Sequence, residues 1–382
     1  MKTIYFDNNA TTPVHDQVIE TLVHTLQLGL KNPASQHGLG RKSRKQLDIT
    51  RSRVAGLLSS NQGSDEGVVV FTSGGTEANN LALQGICASF PQRGRLIISG
   101  IEHPSVTMVA EVLEKNGWDL QVVNTLSNGR VDLDHLGSLF NDETRLVSVM
   151  LANNETGVIQ PIADVVALCK RHGVLVHTDA IQAVGKMSFD FQQLGVDALS
   201  LSAHKIHGPV GVGALLIKNG CPITPVLRGG FQQSGLRPGT EACPLPVAFS
   251  KTLELYLDHQ DANISRLLDL QLRLEAGVLG LFPAAVVIGH ESPRLPQTTC
   301  ISFPGVDRQA LMMALDVAGV CCSTGSACAS GSSEPSPVLI AMGLPDDVVE
   351  GAIRFSLSIL NTPAEVDAVI EILSGVLPLL SE

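Results

Sequence analysis

The chain has 382 residues, 44% of them hydrophobic and 16% charged, a balance that excludes a disordered polymer and allows two or three domains at about 150 residues each. Lysine and arginine number 26 against 37 acids, a formal net charge of -11, and aromatics make up only 4%. A nucleic-acid backbone or an anionic membrane is therefore disfavoured as the main partner, since both call for a basic surface.

In chain order, the N-terminal stretch has no apolar run before its first acid, Asp7, so no signal peptide is expected. The run 41–45 with Arg51 and Arg53 is basic but reads as a solvated helix face rather than an RNA site. From 67 to 218, short β-rich runs alternate with segments of helical spacing. The runs are 68–72, 95–99, 120–123, 146–151, 174–178, 198–202 and 213–217; the helical segments include 77–88, 105–115 and 162–172. This alternation predicts an α/β fold with a mostly parallel sheet between helices. Residues 245–281 read as one long helix, followed by short strands at 286–288, 299–303 and 352–356 and helices at 309–317 and 364–377. The expected division is a large domain over 14–255 and a smaller α+β domain from 1–13 and 256–382. Residues 318–322 read as an apolar strand, placing Cys321 and Cys322 in the core, and 323–336 is a Ser/Gly-rich stretch containing Cys328. The eight cysteines form no CxxC pair, which fits a reducing, cytoplasmic setting. The longest uncharged stretches are interrupted by Pro283 or crowded with Ser and Gly, so no membrane span is expected.

In open α/β sheets ligands lie beyond the carboxyl ends of the strands, and four of those ends carry unusual polar residues. Ser73-Gly74-Gly75-Thr76-Glu77 opens a helix, where free N–H groups and the helix dipole suit a phosphate; an ordinary helix cap is the alternative. His103 sits in Ile101-Glu102-His103-Pro104, either as a turn histidine or as a ring able to stack on a planar cofactor and shuttle protons. Asp179 ends a buried strand and needs a cationic partner, such as a protonated pyridine nitrogen, unless it only caps the next helix. Lys205 follows Ser202-Ala203-His204; a lysine desolvated at a cleft floor forms a Schiff base, whereas a surface lysine is the commoner fate. Taken together, a phosphate cup, an acid for a ring nitrogen, a Schiff-base lysine and a stacking ring describe a pyridoxal-phosphate (PLP) site.

At these residues the chain resembles the fold-type-I PLP enzymes and, more narrowly, the NifS/IscS-type cysteine desulfurases of group I in the class V aminotransferase superfamily. The likeness runs through Asp7-Asn8-Asn9-Ala10-Thr11-Thr12, Asn32-Pro33-Ala34-Ser35-Gln36-His37-Gly38, Thr72 to Glu77, Asn153-Asn154-Glu155-Thr156-Gly157 and His177 to Gln182. It continues through Ser202 to Lys205, Arg237-Pro238-Gly239-Thr240 and Ser323-Thr324-Gly325-Ser326-Ala327-Cys328. The resemblance implies a large domain with a seven-stranded sheet and a small domain carrying a mobile loop, about 323–336, around Cys328. It implies that Lys205 holds the cofactor, Asp179 pairs with the ring nitrogen, Gln182 with the ring hydroxyl, and His103 stacks over the ring. Gly75, Thr76, Ser202 and His204 would hold the phosphate, with Thr240 contributed by the partner subunit of a homodimer. Arg354 and Asn154 would hold the substrate carboxylate. Lys205, Cys328 and His103 are the catalytic residues it implies, converting L-cysteine to L-alanine while Cys328 keeps the sulfur as a persulfide.

Two departures from the family pattern stand out: Gln233 occupies a position where Glu is usual, and the sequence given stops soon after its last helix, whereas members that dock an iron–sulfur scaffold often continue further. A sulfur acceptor or scaffold partner is expected, its identity open. No resident metal is expected, although Cys328 can ligate an iron–sulfur cluster in transfer. The rival activities on the same scaffold are selenocysteine lyase and class V aminotransferase; Cys328 argues against the latter, which needs no nucleophilic thiol. Rivals of another kind are a non-catalytic cluster-binding protein using Cys321, Cys322 and Cys328, whose spacing fits no common zinc or ferredoxin pattern, and an idle PLP-binding partner.

Overall fold

The computed structural model describes residues 3–59, 67–325 and 334–380. A short strand β1 (Ile4–Tyr5) precedes seven strands that share one sheet: β2 (Val68–Thr72), β3 (Arg95–Ser99), β4 (Asp119–Val123), β5 (Thr144–Ser148), β6 (Leu175–Asp179), β7 (Ala198–Ser202) and β8 (Gly213–Ile217). Their order is β2-β8-β7-β6-β5-β3-β4. All neighbours pair in parallel except β8, which runs against both β2 and β7. Chain length accounts for the reversal: only residues 203–212 join β7 to β8, and a parallel crossover takes roughly a dozen residues or more. Every strand but β8 therefore ends at the same edge of the sheet, and the polar residues singled out in the sequence collect there.

Side chains alternate across the sheet as the period of a strand requires. Phe71, Ile97, Val147, Val176, Leu199 and Leu216 face one core, shared with the helices Ile162–His172 and Pro244–Asp258. Val70, Leu96, Ile98, Leu146 and Leu215 face the other, covered by the helices Gly75–Cys87 and Pro104–Lys115. Burial on both faces explains why these strands read as apolar runs rather than as alternating ones. The run expected at 146–151 overshoots: β5 ends at Ser148, and the backbone continues as single bonds, Val149 N to His177 O and Leu151 N to Asp179 O, into the turn at Asn153.

The helix expected over 245–281 is two helices, Pro244–Asp258 and Gln260–Leu281, broken at His259 (φ -119°, ψ 19°). The two halves serve different cores. Phe249, Leu253 and Tyr256 pack under the large sheet, whereas Leu267, Leu270, Leu274 and Val278 pack with Val366, Val369 and Leu373 of the helix Pro363–Val376. That second core lies against a three-stranded antiparallel sheet of β9 (Val286–Val287), β10 (Thr298–Ser302) and β12 (Ala352–Ser356), with β10 in the middle. Between β10 and β12 in sequence, β11 (Val320–Cys321) pairs in parallel with β1, which ties the N-terminus to the C-terminal part of the chain. Cys321 and Cys322, expected in the core, are only half-buried, because this two-stranded sheet has open edges; Cys322 packs against the second core and Cys321 does not. Among the described residues no helix is long and apolar enough to cross a membrane.

Candidate active site

A cavity of about 290 Å³ opens at the strand-end edge. It is lined by Gly75, Thr76, His103, Asn154, Asp179, Gln182, Ser202, His204, Lys205 and Arg354 together with Asn9, Ala10 and Gly325. The geometry thus brings into one space residues drawn from almost the whole length of the sequence.

The cradle for an anion begins at Gly74, the residue before the helix Gly75–Cys87, where no side chain caps the first turn. Its free N–H groups face the same cavity as the Ser202 hydroxyl, which is buried and makes no hydrogen bond. Glycine at 213 permits this approach: a Cβ there would lie 2.5 Å from Leu201 O and 2.7 Å from the Gly74 carbonyl carbon, both backbone. Gly213→Ala is expected to push the Gly74 turn outward, to cost about 1–3 kcal/mol of stability, as overpacking does, and to weaken phosphate-ester binding. Thermal denaturation with and without PLP checks both effects. His204 contacts the Thr11 hydroxyl through Nδ1, and burial, followed by the charges of Lys205 and Lys186, pushes its pKa down to about 4.

Asp179 is held from two sides. Its Oδ1 accepts from Ile181 N at 2.9 Å and its Oδ2 from Asn79 Nδ2 at 2.7 Å. The same Asn79 nitrogen donates to Ser105 Oγ at 2.8 Å, and Ser105 Oγ lies 2.8 Å from His103 Nδ1. His103 is the N-cap of the helix Pro104–Lys115, its Nδ1 accepting from Ser105 N. A continuous polar chain therefore joins the carboxylate and the imidazole, and Asn79 and Ser105 position both. Neither was singled out in the sequence. Asn79 lies one helical turn beyond Gly75, on the same side of that helix, and this spacing was the available signal.

Next to it, Glu102 is buried, accepting from Ser99 Oγ and Met150 N while its Oε2 has no partner. Desolvation, aided by the charge of Asp179, pushes its pKa up to about 8 from an ordinary 4.5. The folded chain thus keeps a proton that the unfolded chain releases, so this stabilisation is complete below pH 4.5 and is lost as pH rises through about 8. Glu102→Gln copies the protonated form. The melting temperature of the wild-type apoprotein is expected to fall, relative to that variant, across this window; parallel pH profiles would contradict the assignment.

Lys205, half-buried, donates from Nζ to Asn9 O at 2.6 Å and Ala10 O at 2.7 Å. Gln182 Nε2 donates to the same Asn9 carbonyl at 3.0 Å. Asn9 in turn donates through Nδ2 to Asn154 O and Thr298 Oγ1, so the N-terminal segment is stitched into the site. Arg354, 3% exposed on β12, pairs with Asp7 at 2.7 Å and donates to Asn154 O at 3.2 Å, leaving its buried Nε without a partner. The Asp7 pair and the orphaned Nε, beside the cavity, explain an arginine inside a buried strand.

Cys328 lies outside the described residues. The chain on either side of it is described: Gly325 lines the cavity, and a Cβ there would lie 2.4 Å from Glu155 Oε2, the atom that accepts from Ser336 Oγ. Buried Glu155 therefore touches both approaches to the Cys328 segment, and burial raises its pKa. Thr240 is exposed and does not line the cavity; it borders a separate pocket with Thr72, Ser73 and Arg237. Gln233, in the left-handed region (φ 48°), accepts at Oε1 from Phe71 N and Arg51 Nη2 and donates from Nε2 to Glu241. A glutamate at 233 would set two carboxylates against each other, which accounts for the amide here.

The donor set fits PLP. An unpartnered hydroxyl and an uncapped helix start suit the phosphate, a fixed carboxylate suits a protonated ring nitrogen, and an amine in the same cavity suits the aldehyde. A sequence-family profile described as Aminotransferase class-V matches residues 4–369. A cysteine desulfurase of Nostoc sp. is 41% identical over 373 residues, covering 98% of this chain and 92% of the relative. The cysteine desulfurase NifS of Azotobacter vinelandii is 38% identical, covering 97% and 91%. Among solved structures, a NifS-like protein superposes with a TM-score of 0.90 at 36% identity, covering 99% of this chain and 100% of its own.

Proposed function

We propose, since the chain belongs to the class V aminotransferase family, that it is a PLP-dependent cysteine desulfurase, converting L-cysteine to L-alanine and passing the sulfur to Cys328. The observation that carries this reading is the presence of Lys205, Asp179 and the unsatisfied Arg354 Nε around one cavity whose wall includes Gly325, three residues before Cys328.

Bound there, the cofactor supplies an electron sink that makes the carbon beside the substrate amine acidic. Lys205 would hold the cofactor through Nζ and, once displaced by the substrate amine, take the proton from that carbon. Asp179, fixed by Asn79 and Ile181 N, would keep the ring nitrogen protonated. Gly75, Thr76, Ser202 and His204 would bind the phosphate. Arg354 would orient the substrate by its carboxylate through the unpartnered Nε, with Asn154 beside it. The Cys328 thiolate would attack the substrate sulfur: an S–S bond forms, the C–S bond breaks, and the carbon keeps the electron pair and gains a proton as alanine leaves. His103, stacked over the ring, would move a proton in that exchange.

The same reading includes a homodimer in which Thr240 of each chain completes the phosphate site of the other; its exposure away from its own cavity supports this. The division into 14–255 and 1–13 with 256–382 is supported by the separate cores of the two sheets. A cytoplasmic setting is supported by the free thiols of the described cysteines. The acceptor, whether a scaffold or another thiol protein, takes sulfur from Cys328. The deciding experiment feeds L-cysteine, and separately L-selenocysteine, to the purified protein and measures alanine with sulfide or selenide. Alanine from cysteine in step with persulfide is expected. Turnover of selenocysteine alone would make it a selenocysteine lyase, and transamination without sulfur release would make it an aminotransferase.

A further inference from the structure

Lys186 lies in the turn after β6, four residues beyond Gln182, and is 3% exposed. Its Nζ donates to Gln182 Oε1 at 3.1 Å, a neutral amide rather than a carboxylate. An ammonium has donors only, so it can face nothing but the amide oxygen. The amide nitrogen must then point away from it, and it does, donating to the Asn9 carbonyl that Lys205 also reaches. A buried charge therefore decides which end of Gln182 faces the Lys205 side of the cavity. Burial, then the charges of Lys205 and Arg354, push the Lys186 amine down to about 7, so the ammonium form that fixes the amide is fully present only below that pH. This wall of the cavity gathers positive groups, an arrangement that gains from an anion.

We propose that Lys186 is a positioning residue for the cofactor: it locks the Gln182 amide with its nitrogen as the donor and sets a buried positive charge behind it. The inference rests on the reading of this cavity as a PLP site and deepens it. The cavity then offers a carboxylate, Asp179, to the basic ring nitrogen and a cation-backed amide, Gln182, to the acidic ring hydroxyl. Nothing in the sequence marks Lys186 out, since a lysine in a turn ordinarily reads as solvated.

The test is equilibrium binding of PLP to the apoprotein without substrate. It is read by dialysis and by the visible absorption of the bound cofactor, for wild type, Lys186→Met, Lys186→Gln, Gln182→Leu and the Lys186→Met/Gln182→Leu double variant. Lys186→Met removes a buried charge and keeps the volume, so the fold is expected to persist. Its affinity for PLP is expected to fall by about tenfold, the scale of a hydrogen bond to a charged group, with a shifted visible spectrum. The double variant is expected to bind no worse than Gln182→Leu alone, and Lys186→Gln, which keeps a donor but neither the charge nor the donor-only lock, to fall between wild type and Lys186→Met. Wild-type affinity and spectrum in Lys186→Met, additive losses in the double variant, or wild-type affinity in Lys186→Gln would each overturn the proposal. Should Lys186→Met fail to fold, Lys186→Gln against Gln182→Leu decides it. Failure of the wild type to take up PLP would instead remove the reading of the site.

Discussion

Lys205→Ala is expected to lose the yellow, borohydride-reducible adduct with PLP and to lower desulfurase turnover by more than about 10⁴-fold, the upper end of what one acid–base group supplies, because here one amine has two tasks. It anchors the cofactor and also takes the substrate proton. The fold should survive, since Nζ donates to backbone carbonyls, those of Asn9 and Ala10, and the backbone of residues 203–205 is held by its own bonds to Val212 and Thr12. A second signature accompanies the loss. Lys205 is among the charges that hold the His204 pKa down, so His204 should titrate at higher pH in the apo variant. An adduct of normal intensity would mean that another lysine, such as Lys186 behind Gln182, carries the cofactor.

Cys328→Ala is expected to keep the colour and to bind L-cysteine, seen as a spectral change on mixing, while releasing alanine at least about 10²-fold more slowly, as removal of an activated nucleophile predicts. Arg354, Asp179 and Lys205 are untouched, so binding and proton removal should proceed, and only the step that breaks the C–S bond loses its acceptor. The measurement is alanine formed per cysteine bound, together with protein-bound persulfide by alkylation and mass. Normal alanine release without persulfide would move the sulfur-accepting role to another thiol or to a small molecule. Of the described cysteines near this region, Cys322 is disfavoured as a replacement: burial first, then the charge of Asp7, pushes its thiol up to about 12.

Much of this architecture was legible in the residues. Strand positions followed from β-rich apolar runs, and the strand-end rule brought His103, Asp179 and Lys205 to one edge because six of the seven strands run the same way. The reversal of β8 was also legible in principle, from the short link 203–212. The break at His259 was not: no proline or glycine marks it, and its cause is that two cores pull on adjacent turns. Asn79, Ser105 and Lys186 escaped for a related reason. Asn79 and Ser105 matter through a partner distant in the chain, Asp179, and Lys186 sits in a turn, a position that does not reveal which way a side chain is solvated. Cys321 and Cys322 illustrate the converse error, an apolar run read as interior that lies at an open sheet edge.

The placement of β2 has a consequence for biogenesis. β2 touches the rest of the sheet only through β8, about 140 residues later in sequence, and β1 and Asp7 find their partners only at β11 and Arg354. A nascent chain that has emerged as far as Lys205 already displays both the acid and the amine, yet Gly213, against which its glycine turn at 74 packs, is still missing. Vitamin B6 capture is thereby deferred until β8 has been made, past the midpoint of translation, and ribosome-bound fragments ending before Ile217 should remain colourless in its presence.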